Sequence, residues 1–359
     1  MVVFDPPNQL LSLPPQPAGT PWPTADWPIG PLPTTVDAAA LDTLLDRAFG
    51  ANPEPEFGES CATVAVQGGR VIVERYGPNT DASTPLLSWS MAKSITHALL
   101  GVLVDQGRIN PDEPAGIPEW GPDDPRAAIT LRQMLRMTDG LEFNEAYALS
   151  EDGGEATWSH CIDMLFGAGI DDPAAYTAAR PLAHEPGTVF NYSSGTTNLV
   201  ARRIGEVIGP GDEARAWMHE HLFAPIGMHS ADPTFDQTGN FVGSSYLHAT
   251  ARDWARFGLL YLRGGVWDDR QLIPADWVDA ARSTRARDDN GGEYGEHWWT
   301  NDDGRGRFFA SGFEWQRVAC VPALDLVVVR LGKTTEDNYP ALVSWFDELI
   351  DLFDSSDDH

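Results

Sequence analysis

The sequence predicts an α/β domain interrupted by a helical one, and three observations carry that expectation. Strand-like runs cluster near the two ends of the chain, at 62–75 and again at 306–331. Between about Asn110 and Pro233 the strand signal fades, and short helical periods alternate with loops rich in Gly, Pro and Asp. Beyond that stretch strong amphipathic helices return, from Thr250 to Arg263 and from Tyr339 to Phe353.

In chain order, residues 1–35 carry many prolines and little periodicity, which predicts an extended arm lying on the surface or against a neighbour. Val36 to Phe49 spaces Leu41, Leu44, Leu45 and Phe49 as one helix face. Ala62–Gln67 and Arg70–Arg75 flank Gly68-Gly69, a hairpin signal. The next helix begins near Ser90, with Met91, Ile95, Ala98, Leu99 and Val102 at helical spacing, and Gly107 stops it. In the middle segment Leu131 to Met137 and Asn198 to Ile208 read as helices, and His221 to Met228 closes the segment. The late strands are predicted at Gly306–Ser311, Trp315–Val321 and Leu326–Leu331, with Pro322 to Asp325 as a turn. Asp354 to His359 reads as a frayed acidic tail. The expected domains are the arm (1–35), an α/β sheet domain (36–115 with 234–359) and a helical domain (116–233).

At 359 residues, 42% hydrophobic and 21% charged, the chain is globular rather than disordered. Its net charge of −29 argues against nucleic acid or an anionic membrane as partner, because phosphate contacts need basic surface. That acidity fits salt adaptation, attraction of cationic substrates, or simply a solvated surface. Cys61, Cys161 and Cys320 are odd in number and widely spaced, which predicts buried thiols rather than disulfides or a metal site. The start of the chain lacks the pattern of a secretory signal, so a cytoplasmic location is expected.

Chemistry concentrates in Ser88-Trp89-Ser90-Met91-Ala92-Lys93-Ser94. Ser90 and Lys93 are three residues apart, so on a helix they are neighbours on one face. A serine hydroxyl needs a base nearby, and a lysine serves only when burial keeps it partly neutral. The competing reading is a helix-capping serine followed by a snorkelling lysine. Lys93 sits among Trp89, Met91, Ala92 and Ile95 in a chain with only one other lysine, Lys333, which favours burial. Two later stretches add to this pair. Pro186 to Gly195 brings Tyr192 to a loop before a helix, where a tyrosine of lowered pKa can shuttle a proton. Phe309-Ala310-Ser311-Gly312-Phe313 ends a strand with a glycine that admits close backbone approach, and a free N–H there can hold an oxyanion.

In this order the motifs resemble the serine β-lactamase and penicillin-binding-protein superfamily, and within it the class C-like branch of carboxylesterases and 6-aminohexanoate-dimer hydrolases. The resemblance spans roughly residues 55–350 and rests on Ser90-Met91-Ala92-Lys93, Tyr192-Ser193-Ser194 and Ser311-Gly312-Phe313. Ile129 to Leu135, Pro225 to Met228 and Tyr294 to Trp299 support it. It implies a β-lactamase-like fold, an antiparallel sheet flanked by helices with an inserted all-helical domain. It also implies Ser90 as nucleophile, Lys93 as proton acceptor, Tyr192 as general acid/base, and the amides of Ser90 and Phe313 as oxyanion hole. Ser194, Ser311, Gly312 and Tyr147 would meet substrate. The acidic loop of Glu142, Glu145, Glu151, Asp152 and Glu155 would either favour a cationic substrate end or stand solvated.

Two departures narrow the substrate. Ser194 stands where β-lactamases and peptidases usually have Asn, and Ala310 replaces the basic residue that would hold a substrate carboxylate. Lys333-Thr334-Thr335 lacks the glycine of the family motif and is set aside. The expected function is therefore a serine hydrolase acting through an acyl-enzyme on short-chain esters or linear amides, a small-molecule substrate requiring no cofactor. A β-lactamase or D,D-peptidase is the alternative, and a catalytically silent binding protein a third. Gly-x-Ser-x-Gly is absent, and His219 and His221 are spaced wrongly for zinc, so neither motif supplies another site. The arm is free to pack in cis or across a homodimer.

Overall fold

Strands from both ends of the chain meet in one sheet. The structure, a computed structural model, describes residues 2–3, 10–147, 158–288, 290–301 and 303–354. Glu151, Asp152, Glu155 and the tail beyond Asp354 lie outside the described residues. The sheet strands are β1 (Val2–Val3), β2 (Glu59–Gln67), β3 (Arg70–Tyr76), β4 (Ala286–Arg287) and β5 (Glu293–Tyr294). They continue as β6 (Trp299–Thr300), β7 (Phe308–Gly312), β8 (Gln316–Val321) and β9 (Leu326–Lys333). Their order among the described residues is β1-β4-β5-β6-β7-β8-β9-β2-β3, antiparallel at every step. Gly68 and Gly69 have φ of 58° and 72°, the left-handed pair that a tight β2–β3 hairpin requires.

Helices cover both faces, so the central strands read as nearly continuous apolar runs. On β9, Val327, Val329 and Leu331 face one core while Leu326 and Val328 face the other. The second core is closed by α1 (Ala38–Phe49) and by the C-terminal helix Tyr339–Asp351. Asp37 caps α1 by accepting from the amides of Ala39 and Ala40. Trp345 is fully buried there against Phe57, and its indole N–H donates to the Leu44 carbonyl at 2.8 Å. Trp345→Ala is expected to cost about 3–5 kcal/mol in urea unfolding, because it leaves a cavity and an unpaired carbonyl.

The opposite face packs against α2 (Ala92–Asp105) and α4 (Ala251–Leu262), and α3 (Ser194–Ile208) packs on α2. Helix α2 is buried on every side from Ala92 to Leu103, not on one face as its spacing predicts. Between α2 and residue 231 the described residues form helices and loops with two isolated β-bridges, the helices including His160–Phe166 and Pro173–Ala178. Helix α3 begins at Ser194, four residues before the predicted start, because Ser193 caps it by accepting from the Thr196 amide.

The described residues of the arm contact their own chain. Arg263 and Arg282 donate to the carbonyls of Pro14 and Leu11, Arg256 donates to that of Pro23, and Trp22 packs on Trp267. It is also more than an extended surface segment: Val2–Val3 supplies the edge strand beside β4. All three cysteines are free and buried.

Candidate active site

Ser90 sits on a single turn of 3₁₀ helix, Trp89–Met91, that leads into α2. Trp89 has φ of 45°, a conformation that strains a residue with a Cβ and that persists only where neighbours enforce it. Here the enforcing contacts come from the far end of β7. The Trp89 indole donates to Glu314 at 3.0 Å and meets the Phe313 ring edge-on at 5.7 Å. Gly312 lies against the same turn. A Cβ there would come within 2.3 Å of the Ser88 carbonyl and 3.3 Å of the Ser90 amide nitrogen. Its φ of −128° is ordinary, so space and not backbone freedom demands the glycine. The main chain of Gly312 is thereby held beside the Ser90 amide, with Phe313 next in the chain.

Lys93 is 1% exposed, and Nζ has three oxygen contacts. They are Ser90 Oγ at 2.9 Å, Ser194 Oγ at 2.9 Å and the Ser244 carbonyl at 3.1 Å. Burial pushes the amine below the ordinary lysine range, opposed by the nearby Glu145 carboxylate. The ammonium is therefore less favoured than in a free lysine, the direction a proton acceptor needs. The Ser244 carbonyl is itself held by α3, since Asn198 accepts from the Ser244 amide and donates to its hydroxyl.

Tyr192 lies across the site, half-buried, with Lys93 Nζ 4.9 Å from its ring centre and Trp299 5.4 Å away. Burial first, and Glu145 second, push its phenol upward, while a hydrogen bond with Ser90 pulls the other way. This corrects the expectation of a lowered pKa: the phenol carries its proton, which suits a donor to a leaving group. Tyr147 stands at the rim with 37% of its surface exposed, yet its hydroxyl turns inward and donates to Glu145 at 3.2 Å. Its ring packs on Phe313 at 5.2 Å.

Two pockets flank Ser90. The smaller, about 80 Å³, is walled by Trp89, Cys161, Ile162, Leu165, Phe166 and Phe313 and is mostly apolar. The larger, about 320 Å³, places Glu145, Asp288 and Glu336 near Tyr147, Tyr192 and Ser311. A cavity of about 670 Å³ under the arm, beside Arg263 and Arg282, is lined by none of Ser90, Lys93 and Tyr192.

The structure thus brings Ser90, Lys93, Tyr192, Tyr147, Ser194, Ser311, Gly312 and Phe313 into one cleft. Ser194 lines the smaller pocket, and its hydroxyl also meets Lys93 and Glu145. Sequence reasoning left Glu145 as one acid of a loop that would favour a cationic substrate end or stand solvated, and it did not single out Ser244, Asn198 or Arg317. Ala310 is buried in the core beneath β7, so no cation stands at that position. Arg317, directly across on β8, donates to Ser311 Oγ at 3.2 Å while clamped between Phe309 and Trp315. Burial lowers its guanidinium to about 9. Lys333 is exposed and pairs with Glu59, and His221 stacks on Trp217.

A profile described as beta-lactamase matches residues 56–346. A 6-aminohexanoate-dimer hydrolase from Paenarthrobacter ureafaciens is 28% identical over 311 residues, covering 81% of this chain and 77% of that one. Among solved structures, a protein from Bacillus anthracis provisionally named a 6-aminohexanoate-dimer hydrolase superposes with a TM-score of 0.72. It is 23% identical over 92% of this chain and 87% of its own. A family VIII carboxylesterase superposes with a TM-score of 0.65 at 16% identity, covering 88% of this chain and 98% of that chain. Among the described residues no helix is long and apolar enough to cross a membrane.

Proposed function

The chain belongs to the beta-lactamase family and is a hydrolase of that serine family, and from this premise we propose that it cleaves short-chain carboxylic esters or linear amides through an acyl-enzyme on Ser90. The observation that carries the reading is the buried Lys93 amine 2.9 Å from Ser90 Oγ. As Ser90 attacks the carbonyl carbon, its proton passes to Lys93 Nζ. The amides of Ser90 and Phe313 stabilise the charge that develops on the carbonyl oxygen. Tyr192 protonates the leaving group, and water then attacks the ester of Ser90 to release the acid.

Substrate class follows from the cleft and the relatives. The small apolar pocket suits a short acyl chain, and the larger pocket has room for an amine or alcohol part. The curated relative's name supports an amide substrate of the aminohexanoate type, and the carboxylesterase neighbour shares the fold. One observation favours a second reading. Arg317 behind Ser311 offers a cation near the edge where penicillin-reactive relatives hold a carboxylate.

A panel of p-nitrophenyl butyrate, 6-aminohexanoate dimer and nitrocefin tests the assignment. Turnover of the first two with inert nitrocefin is the expected result, and nitrocefin turnover alone would overturn it. Within that panel Tyr192→Phe is expected to lose about 10²-fold or more on the amide, since an amine leaves only when protonated. On the nitrophenyl ester the loss is expected to stay below about tenfold, and equal losses on both would remove Tyr192 from the leaving-group role.

A further inference from the structure

We infer that Glu145 is a positioning residue that fixes the direction of the hydrogen bonds around Lys93, leaving the amine's lone pair for the Ser90 proton. The inference rests on the hydrolase reading above, in which Lys93 is the proton acceptor. It follows from counting hydrogens. A carboxylate has acceptors only. Glu145 is met by the Ser194 amide at 2.7 Å, the Ser194 hydroxyl at 2.5 Å and the Tyr147 hydroxyl at 3.2 Å. Ser194 has one hydroxyl hydrogen and gives it to Glu145, so its oxygen faces Lys93 as an acceptor at 2.9 Å. The Ser244 carbonyl at 3.1 Å is an acceptor by its nature. A neutral amine has two hydrogens, and these two oxygens take both. The third contact of Nζ is Ser90 Oγ, and only the lone pair is left to meet it.

The same frame serves the state after transfer. The Oγ–H bond of Ser90 breaks, Oγ bonds to the acyl carbon, and the proton makes Lys93 an ammonium with three hydrogens. Three oxygens are already in place for them. Among the described residues, the charged and titratable groups facing Lys93 are Glu145, Cys161 of helix His160–Phe166, Tyr192 and, from the loop before β6, His297.

Glu145→Gln reverses the chain without changing its shape. The Ser194 amide can only donate, so it takes the glutamine oxygen, and the NH₂ is left facing Ser194 Oγ. Ser194 must then turn its hydrogen toward Lys93 and occupy the lone pair. We therefore expect kcat/KM for p-nitrophenyl butyrate in Glu145→Gln to fall about 10- to 100-fold at the pH plateau. The acid limb should move to lower pH, because the lost carboxylate no longer favours the ammonium. Ser194→Ala alone should lose about tenfold, as the amine's spare hydrogen turns to Ser90.

The double variant should be no slower than Glu145→Gln, since removing the hydroxyl frees the lone pair again. Rates are compared per folded enzyme, measured from the cooperative unfolding signal. Losses that multiply in the double variant, or a Glu145→Gln rate within about twofold of wild type, would overturn the assignment. So would an unmoved acid limb, or a wild-type rate in Ser194→Ala, which answers the question even if Glu145→Gln does not fold. If Ser90→Ala keeps its activity, the hydrolase reading fails instead.

Discussion

Ser90→Ala is expected to lower kcat/KM on p-nitrophenyl butyrate by at least about 10⁴-fold, with the folded structure unchanged. The size follows from the role. Without Oγ no covalent intermediate forms, and only oxyanion stabilisation and binding remain to accelerate direct attack by water. The fold should tolerate the change, because Ser90 is half-buried and lines a pocket, so losing one hydroxyl leaves no gap in the core. Steady-state kinetics beside a thermal melt check both halves. A variant with an unchanged melt and near-wild-type turnover would assign the chemistry elsewhere.

Lys93→Ala is expected to cost about 10³- to 10⁵-fold, and Lys93→Arg nearly as much. A guanidinium stays protonated at every working pH, so arginine keeps the charge of an ammonium but accepts no proton. The pair of variants therefore separates a base from a cation that merely binds substrate. If Lys93→Arg retained activity where Lys93→Ala did not, charge would be the requirement. The pH dependence has a fixed sign. Burial disfavours the ammonium, so the folded pKa lies below that of free lysine, and activity is present above it. As pH falls through that value Lys93 protonates and kcat/KM declines along an acid limb. That limb should be the only one assignable to Lys93.

Much of this was legible in the residues alone, and the parts that were not share a cause. The hairpin at Gly68-Gly69, the helix after Ser90 and the late strands carry periodicity over five or more residues, enough to read. Strands β4, β5 and β6 are two residues long and hold their places by sheet pairing and aromatic packing, which leaves no local pattern. The edge strand Val2–Val3 is hidden for the same reason. In the candidate site, Ser90, Lys93 and Tyr192 stand out in the sequence because their residue types are demanding and their motifs short. Glu145 was visible only as one acid in an acidic loop. What distinguishes it is contact with the first turn of α3, 49 residues later in the chain. Arg317 was missed because its link to Ser311 depends on the β7–β8 register rather than on spacing.

The helix turn that opens α2 is the centre of the account, and trapping its covalent intermediate tests it most directly. The enzyme is mixed with p-nitrophenyl butyrate, quenched in acid within the first turnovers, digested and examined by mass spectrometry. A butyryl group on Ser90, absent from Ser90→Ala, is the result predicted. An acyl group on any other residue, or turnover with the Ser90 peptide unmodified at every quench time, would contradict it.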